Sequence, residues 1–196
     1  MNQRVTWSRR RVLKAGALAA FAPAAGVWAP RTRAQQAQQA RQEQEGAPVK
    51  SLALRNLHMP ESIELEFYRG DAYIQSALAA AQVFLRDYRN GEQHPIDPPL
   101  FDYLYDVARH LGVDPVFGVI SGYRSPQTNE RLRERSNGVA RHSLHLEGRA
   151  IDVRLEGVDC ADLAAGALAL SRGGVGYYRK SDFVHLDTGA LRTWRG

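Results

Sequence analysis

A single cysteine in 196 residues, Cys160, excludes an internal disulfide framework and any zinc ribbon built on thiolates. Nor does any apolar run reach the length of about eighteen residues that marks a mature membrane span. A surface of one charge sign is missing too, once the chain is divided. The formal charge is +5 overall, yet residues 1–48 hold eight basic and two acidic side chains, and residues 49–196 hold eighteen and nineteen. The basicity belongs to an N-terminal extension. A nucleic-acid-binding globule loses its electrostatic basis with that division. What remains is enough chain for one near-neutral domain with a sizeable core.

In the extension, Ser8-Arg9-Arg10-Arg11-Val12-Leu13-Lys14 precedes Ala15–Ala29, a run made almost wholly of small and apolar residues. A charged segment, a short apolar segment and small residues after it are the three parts of an export signal. The paired arginines followed by Val-Leu-Lys resemble the twin-arginine type, whose cargo is carried across the membrane already folded by the twin-arginine translocase. Residues 1–34 are assigned to this signal, with Ala34 before Gln35 as the cleavage point and the periplasm as the expected location. An uncleaved, membrane-tethered form is the alternative. A basic amphipathic helix lying on a membrane fits less well, because Ala15–Ala29 has no polar face. Residues 35–48, rich in Gln, Ala, Arg and Glu without apolar period, read as a low-complexity linker, since they offer little surface to bury. The domain is therefore expected over 49–196.

Alternation begins at Val49. Leu52, Leu54 and Leu57, then Ile63, Leu65 and Phe67 around Pro60-Glu61-Ser62, predict a hairpin. Asp71 offers an N-cap to a helix carrying Ile74, Leu78, Ala81, Leu85 and Tyr88, stopped by Asn90-Gly91. A second helix is expected over Leu100–Leu111, a strand over Val116–Ile120, and a helix from Pro126 to Arg135. A strand at Ala150–Arg154, a helix at Asp162–Ser171 and two strands at Gly173–Tyr178 and Phe183–Asp187 complete the pattern. Mixed helices and strands of this order predict an α+β fold, with a small antiparallel sheet and helices packed on it.

Chemistry-bearing residues concentrate in two strings, Ser143-Leu144-His145-Leu146-Glu147-Gly148-Arg149-Ala150-Ile151-Asp152 and Ser181-Asp182-Phe183-Val184-His185-Leu186-Asp187. A catalytic zinc site needs three protein ligands and one open position, and mixed His/carboxylate sets serve it. His145 and Asp152 are too far apart for one helical turn but suit a loop entering a strand. Asp152 and Arg154 alternate with Ile151 and Val153, so Asp152 faces a cleft when the apolar pair faces the core.

The string S-x-H-x-x-G-x-A-x-D, with D-x-x-H-x-D downstream, resembles the zinc D-Ala-D-Ala metallopeptidase group, which cleaves peptidoglycan peptides. Ser121-Gly122-Tyr123-Arg124-Ser125 matches the upstream S-G-Y-R-S/T motif of that group. The span Val49–Gly196, including Gly173-Gly174-Val175-Gly176-Tyr177-Tyr178, is similar to its YcbK-like murein endopeptidase subfamily. The resemblance implies a hedgehog/DD-peptidase-like fold and one Zn²⁺ bound by His145, Asp152 and His185. It places Asp182 as general base and Arg124 on the substrate and transition state. Many relatives carry Glu where Asp182 stands, so the base has a shorter reach here. The implied activity is hydrolysis of peptide cross-links in peptidoglycan. A carboxypeptidase or dipeptidase of the same chemistry and a catalytically silent wall-binding domain are the alternatives.

These roles have a physical basis. A positioned carboxylate that takes and returns a proton contributes roughly 10²–10⁴ in rate. A guanidinium beside the scissile carbonyl meets the charge of the tetrahedral state. Asp187 suits the orienting of an imidazole through its ring N–H, with direct ligation in place of Asp152 as the alternative. Asp182 alternatively caps a turn, and Arg124 alternatively makes a structural ion pair. His142 reads as a loop residue, with an extra ligand or proton shuttle as its alternative. His58, His94 and His110 have no partner pattern, and Cys160 reads as a small, partly buried residue. The arginines between Arg131 and Arg141 read as a solvated face.

Overall fold

The computed structural model describes residues 32–33, 46–135 and 139–196. The expected export signal and most of the expected linker lie outside the described residues. The alternation after Val49 produces β1 (Val49–Asn56) and β2 (Ser62–Arg69), antiparallel with Leu52 opposite Leu65 and Leu54 opposite Ile63. A two-residue strand, β3 (Ala72–Tyr73), returns along β2. There follow α1 (Gln75–Phe84), α2 (Pro98–His110), β4 (Val116–Ser121) and α3 (Pro126–Arg135). A 3-10 turn (Leu144–Glu147) leads to β5 (Ala150–Leu155), α4 (Cys160–Leu170), β6 (Gly174–Tyr178), β7 (Phe183–Asp187) and β8 (Arg192–Arg195).

The strands form one sheet in the order β3-β2-β1-β4-β5-β7-β6-β8. The α+β class holds, but the sheet is neither small nor wholly antiparallel. β1 pairs parallel with β4, and β6 pairs parallel with β8. The first parallel pair exists because β2, β3, α1 and α2 lie between β1 and β4, and such a connection is long enough to return the chain in the same direction. Helix α1 begins at Gln75 and not at Asp71, because Gly70, at φ 69°, turns the chain into β3 first. That helix also ends before Tyr88, its last cap N–H at Leu85 bonding back to the Ala81 carbonyl.

Register separates two faces. Leu54, Phe117 and Leu155 lie side by side across β1, β4 and β5, and Ile151, Leu186 and Val175 across β5, β7 and β6. This apolar face carries α1, α2 and α4, with Phe101, Leu104, Val107 and Leu163 fully buried between helices and sheet. Each such side chain contributes about 1.5–3 kcal/mol of burial. The strand period of two sends the intervening residues the other way. On that opposite face Asp152 is the neighbour of His185, His185 of Gly176, and Gly176 of Trp194. The core thus fixes the register that assembles a polar group behind it. Among the described residues no helix is long and apolar enough to cross a membrane.

Candidate metal centre and its cleft

His145 sits in the 3-10 turn before β5, Asp152 within β5 and His185 within β7, and all three are buried. Gly148 ends the turn at φ 64°, a conformation that suits glycine, and a Cβ there would collide with the Pro95 carbonyl. This accounts physically for the glycine between His145 and Asp152. The Nε2 of His145 lies 3.2 Å from Asp152 Oδ1 and 3.2 Å from His185 Nδ1, and His185 Nδ1 lies 2.9 Å from Asp152 Oδ1. These three atoms form a group that could hold a metal ion.

Hydrogen-bond accounting supports that use. His145 Nδ1 is 2.7 Å from the Gly122 carbonyl, which can only accept, so the ring proton belongs on Nδ1 and Nε2 presents a lone pair. His185 Nε2 is 2.9 Å from Asp187 Oδ2, so His185 donates there and Nδ1 presents its lone pair. Two imidazole lone pairs and a carboxylate oxygen then converge with no hydrogen between them. A cation resolves that convergence, and the donor set fits a divalent metal.

For His145 and Asp152 the electrostatics point the same way, and for His185 they do not. Burial pulls His145 below its ordinary pKa, which favours the neutral ring a metal requires. Burial alone would raise Asp152, but His145 and His185 outweigh it and hold the carboxyl well below the usual carboxylate range. Burial would likewise lower His185, and the hydrogen bonds to Asp152 and Asp187 reverse the sign. Asp187 is fully buried and does not join the converging atoms. Its Oδ1 accepts from the Gly174 and Gly189 N–H groups and from Arg192, and its Oδ2 accepts from His185 and Arg192.

Arg124 enters from the turn after β4. Its N–H donates to the His145 carbonyl at 3.1 Å, tying the two motifs together. Its Nη2 stands 3.6 Å from Asp152 Oδ2, Nη1 donates to Asn129 Oδ1 at 3.4 Å, and Nε is buried without a partner among the described residues. Ser125 holds this turn. Its hydroxyl caps α3 through the Thr128 N–H, and both its N–H and its hydroxyl donate to the buried Asp87 carboxylate at 3.0 and 2.8 Å. No sequence signal singles out Asp87 beyond its position before an expected turn.

An open cleft of about 520 Å³ lies over these groups, lined by Arg124, His145, Asp152 and His185 together with His142, Tyr178, Phe183, Arg192 and Trp194 among others. The structure therefore brings together four of the five expected site residues. It does not bring Asp182. That residue adopts φ 52° just before β7, its carboxylate lies 3.3 Å from Arg154 Nε, and its side chain is 68% exposed. It lines a different depression, with Arg154 and Cys160. Asp152 is the one carboxylate among the described cleft-lining residues. Burial, with Asp182 adding to it, pushes the Cys160 thiol up to about 11, away from nucleophilic use. Arg192 and Trp194 belong to β8, which sequence reasoning missed; the alternation Arg192-Thr193-Trp194-Arg195 was its one local signal.

A family model described as peptidoglycan L,D-endopeptidase MepK matches residues 44–194. The peptidoglycan L,D-endopeptidase MepK of Escherichia coli K12 is 49% identical over 143 residues, covering 73% of this chain and 79% of that protein. The probable peptidoglycan L,D-endopeptidase MepK of Haemophilus influenzae is 40% identical over 146 residues, covering 74% and 78%. No solved structure gives a significant match. With a family model matching residues 44–194 and relatives 49% and 40% identical over about three quarters of the chain, this protein belongs to the MepK family of M15-type peptidases.

Proposed function

We propose that this protein is a zinc-dependent endopeptidase that hydrolyses peptide cross-links of peptidoglycan. The observation that carries the reading is the convergence of His145 Nε2, Asp152 Oδ1 and His185 Nδ1 beneath an open cleft, with Arg124 beside them, in a chain of this family. The three ligands leave one side of the group open to the cleft. A zinc ion held by His145, Asp152 and His185 would supply Lewis acidity towards the scissile carbonyl and a water molecule. The chain's own residues do the rest. Gly122 and Asp187 fix the ring tautomers, Asp152 supplies the balancing charge, and Arg124 presents its guanidinium to the oxygen that gains negative charge. Both arginines of the cleft face carboxylates, Arg124 towards Asp152 and Arg192 against Asp187. The endopeptidase activity named for the relatives favours cleavage within a cross-bridge over removal of a terminal residue. Purified protein is expected to release fragments from cross-linked muropeptides, and chelation followed by zinc return should stop and restore release. Chelator-resistant cleavage would overturn the metal-dependent reading, and no cleavage at all by the zinc-loaded protein would overturn the substrate.

We propose further that residues 1–34 carry the domain to the periplasm as a twin-arginine signal, followed by a linker over 35–48. The support is the arrangement of Arg9-Arg10-Arg11 before the Ala15–Ala29 run. Replacing Arg9 and Arg10 by lysine should trap the protein inside the cell on fractionation. Normal periplasmic recovery of that variant would remove the twin-arginine route.

A further inference from the structure

One wall of the cleft is aromatic, and its hydrogen bonding is incomplete in a way that points at substrate. Tyr178, at the end of β6, stacks on Phe183 with ring centroids 4.5 Å apart and planes within 14°. Trp194 Nε1 donates to the Tyr178 hydroxyl oxygen at 3.0 Å. The C-terminal Gly196 lies so close that a Cβ on it would strike the same phenol ring, and its N–H bonds the Tyr177 carbonyl. Stacking, hydrogen bond and strand edge together immobilise this side chain. Trp194 itself reaches the site because its β8 position pairs with Gly176, where a Cβ would collide with the indole, and it packs 5.1 Å from the His185 ring.

A phenol offers one proton and accepts through its oxygen. An indole N–H only donates, so the Trp194 bond occupies the oxygen and leaves the phenolic proton unused. Among the described residues no acceptor for that proton is present, although Tyr178 lines the cleft with the ligand group and Arg124. We infer that the Tyr178 hydroxyl is a substrate-contacting catalytic donor, held ready by Trp194, that joins Arg124 on the peptide oxygen gaining negative charge during cleavage. This rests on the endopeptidase reading above. The arrangement is preorganised, because the ring has no freedom to lose when substrate arrives.

The test compares wild type, Tyr178→Phe and Trp194→Phe on cross-linked muropeptides, with zinc content and thermal midpoint measured on the same samples. Tyr178→Phe keeps the ring stacked on Phe183 and removes the hydroxyl. It should keep stoichiometric zinc and lose roughly 10- to 100-fold, the size of one hydrogen bond to a charged group, in kcat and not in KM. Trp194→Phe leaves the hydroxyl in place and should lose less. Unchanged kcat in Tyr178→Phe, a loss confined to KM, or equal losses in the two variants would overturn the inference; the last would mean the hydroxyl serves only to hold Trp194. Wild-type protein that cleaves while Tyr178→Phe matches it sinks this inference alone. Zinc-loaded wild-type protein that cleaves nothing sinks the endopeptidase reading and this one with it.

Discussion

His185→Ala should lose bound zinc and hydrolysis together, leaving no cleavage above background. The expectation follows from how few donors the site has and how deeply they are buried. His145 Nε2, Asp152 Oδ1 and His185 Nδ1 are the converging set, and removal of one leaves two donors where a catalytic zinc uses three. Among the described residues no neighbour is placed to substitute. Asp187 is on the far nitrogen of His185, already bonded to two backbone N–H groups and to Arg192. His142 is exposed at the cleft margin. Metal content of the purified variant, read by elemental mass spectrometry beside its circular dichroism, checks the point. Stoichiometric zinc in a folded His185→Ala protein would remove His185 from the ligand set. Asp187→Asn should behave differently, because an amide can still meet the imidazole while pairing poorly with Arg192. There the expected loss is about 10- to 100-fold in zinc affinity, the range for partners that orient a ligand.

The convergence of His145, Asp152 and His185 was legible because two local signals coincide. Strand alternation placed Asp152 opposite Ile151 and Val153, and the family-like motif supplied His145 and His185 at its own spacing. Arg124 was legible only through the Ser121–Ser125 motif of the resembled family, and the structure adds that Ser125 caps α3. What stayed hidden depends on pairing between distant segments. β8 joins the sheet through parallel pairing with β6, and four residues with one tryptophan carry little local signal for that. Asp87 acquires its role only when Ser125 folds over it from 38 residues away. The size of the sheet was underestimated for the same reason. β1 and β4 are brought side by side by two helices whose packing, not whose sequence pattern, decides strand order. Asp182 shows what spacing alone leaves open. Its position three before His185 is a matter of spacing, whereas its direction is set by a positive φ and by Arg154.

Arg124→Ala and Asp182→Asn, assayed side by side on zinc-loaded protein, should differ by about two orders of magnitude. Arg124 is buried at the cleft, its Nε has no partner among the described residues, and burial depresses its pKa against the opposing pull of Asp152. A guanidinium held dry beside the reacting group is most effective against charge that appears only in the transition state. Arg124→Ala is therefore expected to lower kcat by roughly 10²–10³, the usual cost of one such donor, with zinc retained because Arg124 is no ligand. Arg124→Lys should recover little, since a lysine cannot hold Asn129 and the substrate oxygen at once in the geometry of a planar fork. Asp182 has the contrary environment. Its carboxylate is mostly exposed, paired with Arg154, and outside the residues lining the metal cleft. Asparagine tolerates the left-handed backbone there about as well as aspartate, so Asp182→Asn should fold normally and keep turnover within about threefold. A loss of roughly 10²–10⁴ in that variant, with zinc intact, would be the signature of a general base. It would require the carboxylate to leave Arg154 and swing over the cleft once substrate is bound. Arg154→Ala separates the two cases: releasing Asp182 should raise turnover if that swing occurs and leave it unchanged if it does not.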